Sequence, residues 1–169
     1  MYCQEKFEIS DSPHTLKADI RGEQEEPPVV TRGHGTGTFY LSGDHLDLEY
    51  EIKVRKLSSP LTAAHFHRAP VGQNGPVVKT IQFCQKGNYW VARGIWSIDE
   101  KQEEPLDSRN VALLLVGGLY INVHTEKYPA GEIRGQIFVH SHDHSDRITR
   151  VARRGCDSFY ERGDTYGYD

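Results

Sequence analysis

The chain lacks the long apolar runs and the excess of basic residues that would place it in a membrane or on nucleic acid. Its longest apolar stretch among 169 residues, Val111 to Val116, is far shorter than the roughly 20 residues that span a bilayer. Lys and Arg number 20 against 24 Asp and Glu, for a formal net charge of -4. Residues 1 to 11 are polar and acidic, unlike a secretory signal. We expect a soluble protein with no membrane span and no nucleic-acid partner.

Cysteine is also scarce. Cys3, Cys84 and Cys156 are odd in number and contain no close pair, which argues against a disulfide framework or a thiolate zinc site. Cys84 follows an apolar run and is predicted to be a core thiol. Cys3 and Cys156 lie near the two ends, where they could link to each other or to another chain.

The remaining composition fits one folded domain with polar tails, since 37% of the residues are hydrophobic and 26% are charged. We divide the chain into an N-terminal arm (1–33) with a possible short strand, a β domain (34–140) and a polar C-terminal tail (141–169). Glu103 and Glu104 are interpreted as solvated loop charge.

Strand patterns dominate the predicted domain. The clearest runs from Leu46 to Val54, where large apolar residues alternate with charged ones. Gly43 and Asp44 suit a turn from the preceding strand, so these two should form an antiparallel hairpin. The predicted fold is all-β, an antiparallel Greek-key-like β-sandwich or barrel with one short helix and polar terminal tails. The segments expected to be strands are 14–20, 34–41 (an edge or bulged strand), 46–54, 61–67, 77–84, 89–96, 119–124 and 132–140, and the helix is expected within 105–116.

The strongest chemical signal is the triplet His65-Phe66-His67. Side chains two residues apart on a strand point to the same face, so both imidazoles can hold one ion. His124, on a later strand, offers a third nitrogen. A set of neutral imidazoles without thiolates suits copper, with zinc as the alternative. Without a metal, the same residues would be two partly exposed histidines and one hydrogen-bonded core histidine.

Histidines also alternate from His140 to His144 at the end of the last predicted strand. They could add metal ligands or bind metal adventitiously. An exposed polar tail explains the same pattern and is the favoured interpretation.

Five separate motifs lie along the predicted β domain: His65-Phe66-His67, Ala69-Pro70-x-Gly-x-Asn74-Gly75-Pro76, Gly94-x-Trp96, the run from Tyr120 to Thr125 and the run from Pro129 to Gln136. They resemble the CHRD (chordin) domain family, and they occur in that family's order. The resemblance implies a β-sandwich of a kind found in chordin and in many secreted or surface microbial proteins of mostly unassigned activity.

A weaker resemblance to copper-zinc superoxide dismutases implies a role for one more residue. Those proteins also pair a His-x-His strand with a later Val-His, followed by an arginine, which would here be Arg134. As a catalytic residue it would attract superoxide or another small anion to the metal. A salt bridge from Arg134 to Glu132 or Glu126 explains the residue equally well. No histidine lies between His67 and His124, so the bridging ligand and the zinc site of those enzymes are missing.

Three functions follow as hypotheses. The first is a mononuclear copper protein with a dismutase-like site, whose catalytic activity the sequence leaves open. The second is a non-catalytic protein-interaction module, as the chordin resemblance implies. The third is a surface or coat subunit that self-associates through its terminal tails, with Cys3 and Cys156 as the cross-linking residues.

Overall fold

The computed structural model describes residues 14–99 and 103–140, and their fold is all-β with one short α-helix, as predicted. A 3-10 turn, Gly22–Gln24, follows the first strand. The strands are β1 (His14–Arg21), β2 (His34–Leu41), β3 (Asp47–Arg55), β4 (Leu61–Arg68), β5 (Val77–Thr80), β6 (Cys84–Lys86), β7 (Tyr89–Ser97), β8 (Leu119–Thr125), β9 (Ile133–Gln136) and β10 (Phe138–Val139), and the helix is α1 (Ser108–Leu115).

These strands form one antiparallel sheet that curls into a half-barrel. Its order is β5-β4-β8-β9-β1-β2-β3-β7-β6, and β10 also pairs with β1. The predicted hairpin of β2 and β3 is present, with Phe39 opposite Tyr50. The arrangement puts β4, β8 and β9 side by side, although a long stretch of chain separates β4 from β8.

The segment expected to be an N-terminal arm contributes a strand near the middle of the sheet. β1 pairs with β2 along its whole length, from His14 opposite Leu41 to Arg21 opposite His34. Its alternate residues Leu16, Ala18 and Ile20 are buried in the core. The sheet therefore extends N-terminal of the boundary that we expected at residue 34.

The core lies inside the curl of the sheet. Phe66 of β4 is fully buried there, stacked on Trp96 with ring centroids 5.2 Å apart and edge-on to Tyr50 at 5.4 Å. Such aromatic contacts add to the free energy of burying the rings. Since Phe66 points inward, its neighbours His65 and His67 point outward.

Four local expectations were wrong. β2 is an interior strand, not an edge strand; its glycines permit close packing, and a side chain at Gly37 would collide with the Phe39 ring. The segment 77–84 is two strands, because β5 pairs with β4 whereas β6 pairs with β7. The segment 132–140 is likewise two strands, since β9 pairs with β8 whereas β10 pairs with β1. Cys84 is disulfide-bonded, so it is not a free core thiol.

The helix starts later than Pro105. Asp107 caps it, because its carboxylate accepts a hydrogen bond from the Asn110 backbone N–H at 2.6 Å. Gly117, with φ of +74°, follows its end as predicted. None of the helices that the structure describes is long and apolar enough to cross a membrane. The expected tail, residues 141–169, lies outside the described residues.

Candidate metal centre

The three predicted histidines meet on the outward face of the sheet. β4 and β8 pair so that His65 is opposite Asn122 and His67 is opposite Tyr120. His124 is two residues beyond Asn122 on the same face of β8. The antiparallel pairing of two distant segments thus brings one histidine from β8 beside two from β4.

The spacing of their ring nitrogens suits a single ion. One nitrogen from each of His65, His67 and His124 lies within 4.8 Å of those of the other two. The Nδ1 of His65 and the Nε2 of His124 are 3.2 Å apart. Two nitrogens bound at about 2.0 Å in a tetrahedral set lie roughly 3.3 Å apart, so this pair already has a suitable separation. His67 would need to move closer by an ångström or so.

Backbone carbonyls orient two of the rings. His67 Nδ1 donates to the Gly75 carbonyl at 2.9 Å, and His124 Nδ1 donates to the Pro129 carbonyl at 2.9 Å. In a neutral imidazole the Nε2 is then an acceptor with a free lone pair. Such carbonyl contacts fix the tautomer and orientation of metal-binding histidines in known sites.

His67 has a buried nitrogen without a partner. Its side chain is 9% exposed, and its Nε2 makes no hydrogen bond. Leaving a buried polar atom unsatisfied costs about 1–3 kcal/mol. His65 and His124 can satisfy each other by a hydrogen bond from His65 to His124, but that bond does nothing for His67. A metal ion would give the Nε2 of His67 a partner.

The surroundings also favour the neutral rings that a metal requires. Burial lowers the pKa of each of the three histidines below its ordinary value. For His67 the pKa is lowered further by the neighbouring His65, His124 and Arg134. Less competition from protons favours metal binding near neutral pH.

A comparison with known protein families identifies the family of this chain. A family model described as the CHRD domain matches residues 16–137. The chain belongs to the CHRD family. The match begins within β1, in agreement with the position of that strand in the sheet. A comparison with curated proteins gave no match.

The motifs that resemble the CHRD family surround the histidines in the structure. Gly75 and Pro129 supply the carbonyls that orient His67 and His124. The backbone N–H of Gly75 donates to the Tyr120 hydroxyl at 3.2 Å. The Tyr120 ring stacks on His67, with centroids 4.9 Å apart and planes 12° from parallel. Residues scattered through the CHRD domain sequence therefore form one local arrangement.

Arg134 lies next to this arrangement but does not point into solvent. It is 1% exposed, and its guanidinium carbon lies 3.5 Å from the centre of the Tyr120 ring, which also stacks on His67. Its hydrogen bonds go to the Pro70 carbonyl at 3.2 Å, the Gln136 side chain at 3.2 Å and the Asn74 side chain at 3.5 Å.

The salt bridge that we considered for Arg134 is absent among the described residues. The Glu132 carboxylate instead accepts hydrogen bonds from Thr31, Ser58 and Thr125 at 2.6 to 2.9 Å. No ion pair between Arg134 and Glu126 is found in residues 14–99 and 103–140. The carboxylate whose charge acts on Arg134 is Glu25, from the segment after β1.

Glu25 is a buried acid that sequence reasoning missed. It is 5% exposed, and burial raises its pKa to about 7 although Arg134 and Asn122 lower it. Glu25 Oε1 and Asn122 Oδ1 are both buried acceptors without a partner. Both crowd the position where a side chain on Gly131 would be. A proton on Glu25 could satisfy both oxygens at once, if it bridged them.

The structure describes only the first residue of the other histidine cluster, His140 to His144. His140 is exposed, and its backbone N–H bonds to the Thr15 carbonyl at 2.8 Å. It is not a member of the group formed by His65, His67 and His124. His142 and His144 lie outside the described residues.

Proposed function

We propose that this CHRD domain binds one copper ion through His65, His67 and His124, with zinc as the alternative metal. The observation that carries the proposal is the buried, unpartnered Nε2 of His67 beside the other two imidazoles. Carbonyl contacts hold two of the rings in the tautomer that leaves Nε2 free, and burial favours the neutral form of all three rings.

Donor chemistry favours copper. The group of ligand atoms contains three imidazoles and, among the described residues, no thiolate or carboxylate. Imidazole suits copper and zinc, whereas calcium and magnesium prefer oxygen ligands. For the same ligands copper(II) binds more tightly than zinc in the usual order of affinities. Three protein ligands would also leave a position open for water or a substrate.

A dismutase-like reaction is the finer part of this proposal. Bound copper would supply one-electron chemistry, and the partly exposed His65 leaves the cluster accessible from one side. The surroundings of Arg134 give less support, because its charge is buried behind Tyr120 and engaged by neutral acceptors. We therefore place metal binding first. A non-catalytic interaction module and a tail-linked coat subunit remain the alternatives.

Metal analysis of the full chain tests copper binding. We expect about one copper ion per chain after loading and desalting, and loss of most of it in the His65→Ala/His67→Ala double variant. A matched control, His14→Ala/His45→Ala, removes two imidazoles whose ring centroids are 5.8 Å apart, one on β1 and one in the turn between β2 and β3. It should bind as much copper as the wild type. Equal copper in the wild type and the His65/His67 variant would refute the site.

The dismutase part has its own measurement. The copper-loaded chain is assayed for superoxide removal against the metal-free chain and against the loaded His14→Ala/His45→Ala control. Activity in the loaded wild type and control above that of the metal-free chain would support the reaction. Copper bound at one ion per chain without such activity would leave the binding site intact and reject catalysis.

A further inference from the structure

Glu104 is held in place at both its backbone and its carboxylate, although the sequence suggested a solvated loop charge. It lies in the connection between β7 and α1 and is half-buried. Its carbonyl accepts a hydrogen bond from the Trp96 indole at 2.9 Å. Its carboxylate accepts two from Thr80, one from the backbone N–H at 2.7 Å and one from the hydroxyl at 3.2 Å. Because these contacts fix the position of the carboxylate, its negative charge lies at a constant distance from the neighbouring side chains.

One of these neighbouring side chains is that of His65. Thr80 of β5 is directly opposite His65 of β4, and residues opposite each other place their side chains on the same face, with Cβ atoms about 5 Å apart. The Thr80 hydroxyl thus holds the Glu104 carboxylate on the face that carries the histidines. The negative charge of Glu104 acts on His65 in the direction that raises its pKa, against the larger effect of burial.

We propose that Glu104 is an outer carboxylate of the candidate metal centre, which lies beside His65 and supplies the negative charge that favours copper(II). The proposal rests on the proposed function. Glu104 does not belong to the group of ligand atoms that the three histidines form, so its role is that of an outer carboxylate rather than a ligand. The hydrogen bonds of Glu104 go to Thr80 and Trp96, so its effect on a bound ion would come from its charge.

A fixed negative charge has a specific consequence for copper. Its attraction to a doubly charged ion is about twice its attraction to a singly charged ion at the same distance. Removal of the charge should therefore weaken copper(II) binding more than copper(I) binding. A residue that only anchors the loop would affect both oxidation states alike.

The test compares the affinities of the full chain for copper(II) and copper(I) in the wild type, Glu104→Gln and Glu103→Gln. Glutamine at 104 keeps the size of the side chain and an oxygen that can accept from Thr80, but removes the charge. Glu103 is the exposed neighbour, so its variant removes the same charge from an adjacent position. We expect copper(II) affinity to fall by about 10- to 100-fold in Glu104→Gln, with a smaller loss for copper(I). Glu103→Gln should match the wild type.

A second variant and a spectrum distinguish a loss of charge at residue 104 from a general loss of folding. Thr80→Val removes the hydroxyl that holds the carboxylate and should lower the ratio of copper(II) to copper(I) affinity in the same direction, to a smaller extent. The copper(II) paramagnetic resonance spectrum should change in Glu104→Gln and stay unchanged in Glu103→Gln.

The outcomes separate this inference from the proposed function. A wild type that binds no copper overturns both. A wild type that binds copper with the same affinity ratio and spectrum in Glu104→Gln as in Glu103→Gln overturns the role of Glu104 alone. Equal losses for the two oxidation states would also reject it, since they indicate an anchoring role only.

Discussion

The outward face of the curled sheet differs between its two halves. On β3 and β7, Glu51 receives ion pairs from Arg93 at 2.6 Å and Lys53 at 3.0 Å, and both basic side chains are nearly half exposed. On β8 and β9, the polar residues that face the same way are almost fully buried, with Asn122 at 4% exposure and Arg134 at 1%. Both halves have polar residues at alternate positions, yet only one half is solvated.

Two loops between strands account for this difference in burial. The covering loops, residues 22–33 and 69–76, lie over β8 and β9 and contact each other, since the Asn74 side chain donates to the Glu26 carbonyl at 2.8 Å. Gln136 bonds to both loops, through Gln24 at 3.2 Å and the Ala69 carbonyl at 2.9 Å. The candidate metal centre lies at the border of the covered half. Polar groups there lose water and therefore need partners, whereas those on β3 and β7 do not.

The largest effect should follow from removal of the buried arginine. Arg134→Met would take away the charge that faces Glu25, the hydrogen bonds to the covering loops and the stack on Tyr120. We expect the free energy of unfolding to fall by roughly 3–5 kcal/mol, because several buried acceptors lose hydrogen bonds from a charged donor and are left without a partner. Urea denaturation measures this loss. A change below about 1 kcal/mol would show that the covered half behaves like the exposed half.

Glu25→Gln should change how stability depends on pH. The pKa of Glu25 is raised from 4.5 to about 7 in the folded chain, so the folded state holds this proton more tightly than the unfolded state. The proton on Glu25 therefore stabilises the folded state. This contribution to the free energy of unfolding is complete below the unfolded pKa and is lost as pH rises from 4.5 to 7. Across that window the wild type should lose roughly 3 kcal/mol relative to the variant.

Denaturation of the wild type and of Glu25→Gln at several pH values checks that slope. Glu26→Gln, a change at the exposed neighbour, serves as the control and should follow the wild type. Parallel pH profiles for the wild type and Glu25→Gln would mean that Glu25 is solvated, which would contradict its burial against Asn122 of β8.

The smallest effect is expected on the exposed half. Arg93→Met removes one ion pair to Glu51 at the surface of β7 and leaves Lys53 as a partner. Exposed pairs of this kind contribute about 0.2–1 kcal/mol. The same denaturation experiment as for Arg134→Met provides a matched comparison, since both variants replace an arginine by methionine on the outward face. A similar loss in both would remove the distinction between the two halves.

Much of the fold was predictable because strand periodicity is a local property. The alternation from Leu46 to Val54 predicted β3 and its buried face, and the turn residues predicted its pairing with β2. The position of β1 was harder to predict, since His14 to Ile20 suggested a strand but could not tell which other strands it would join. Its central place depends on pairing with β2 and β9, which local sequence does not encode.

The candidate site was also predictable only where its features depend on local sequence. The spacing of His65 and His67 predicted two imidazoles on one face, and the motif around His124 suggested the third. Neither Glu104 nor Glu25 stood out, because each is one acid in a polar loop and gains its role only from long-range contacts. Arg134 was recognised as a residue of interest, but its stack on Tyr120 and its burial were not foreseen.

The sequence by itself determined the all-β class, the position of most strands, the family and the face on which each histidine lies, because these follow from alternation and from motifs of adjacent residues. Only the tertiary structure decided which half of the outward face is covered by loops and which carboxylate lies near the histidines. It also decided that His67 keeps a buried nitrogen without a partner. Those properties depend on where loops distant in sequence come to rest. Removal from water raises the free energy of an unpaired polar group and shifts its pKa. Whether a polar group is removed from water depends on the packing of the whole chain and not on the adjacent residues.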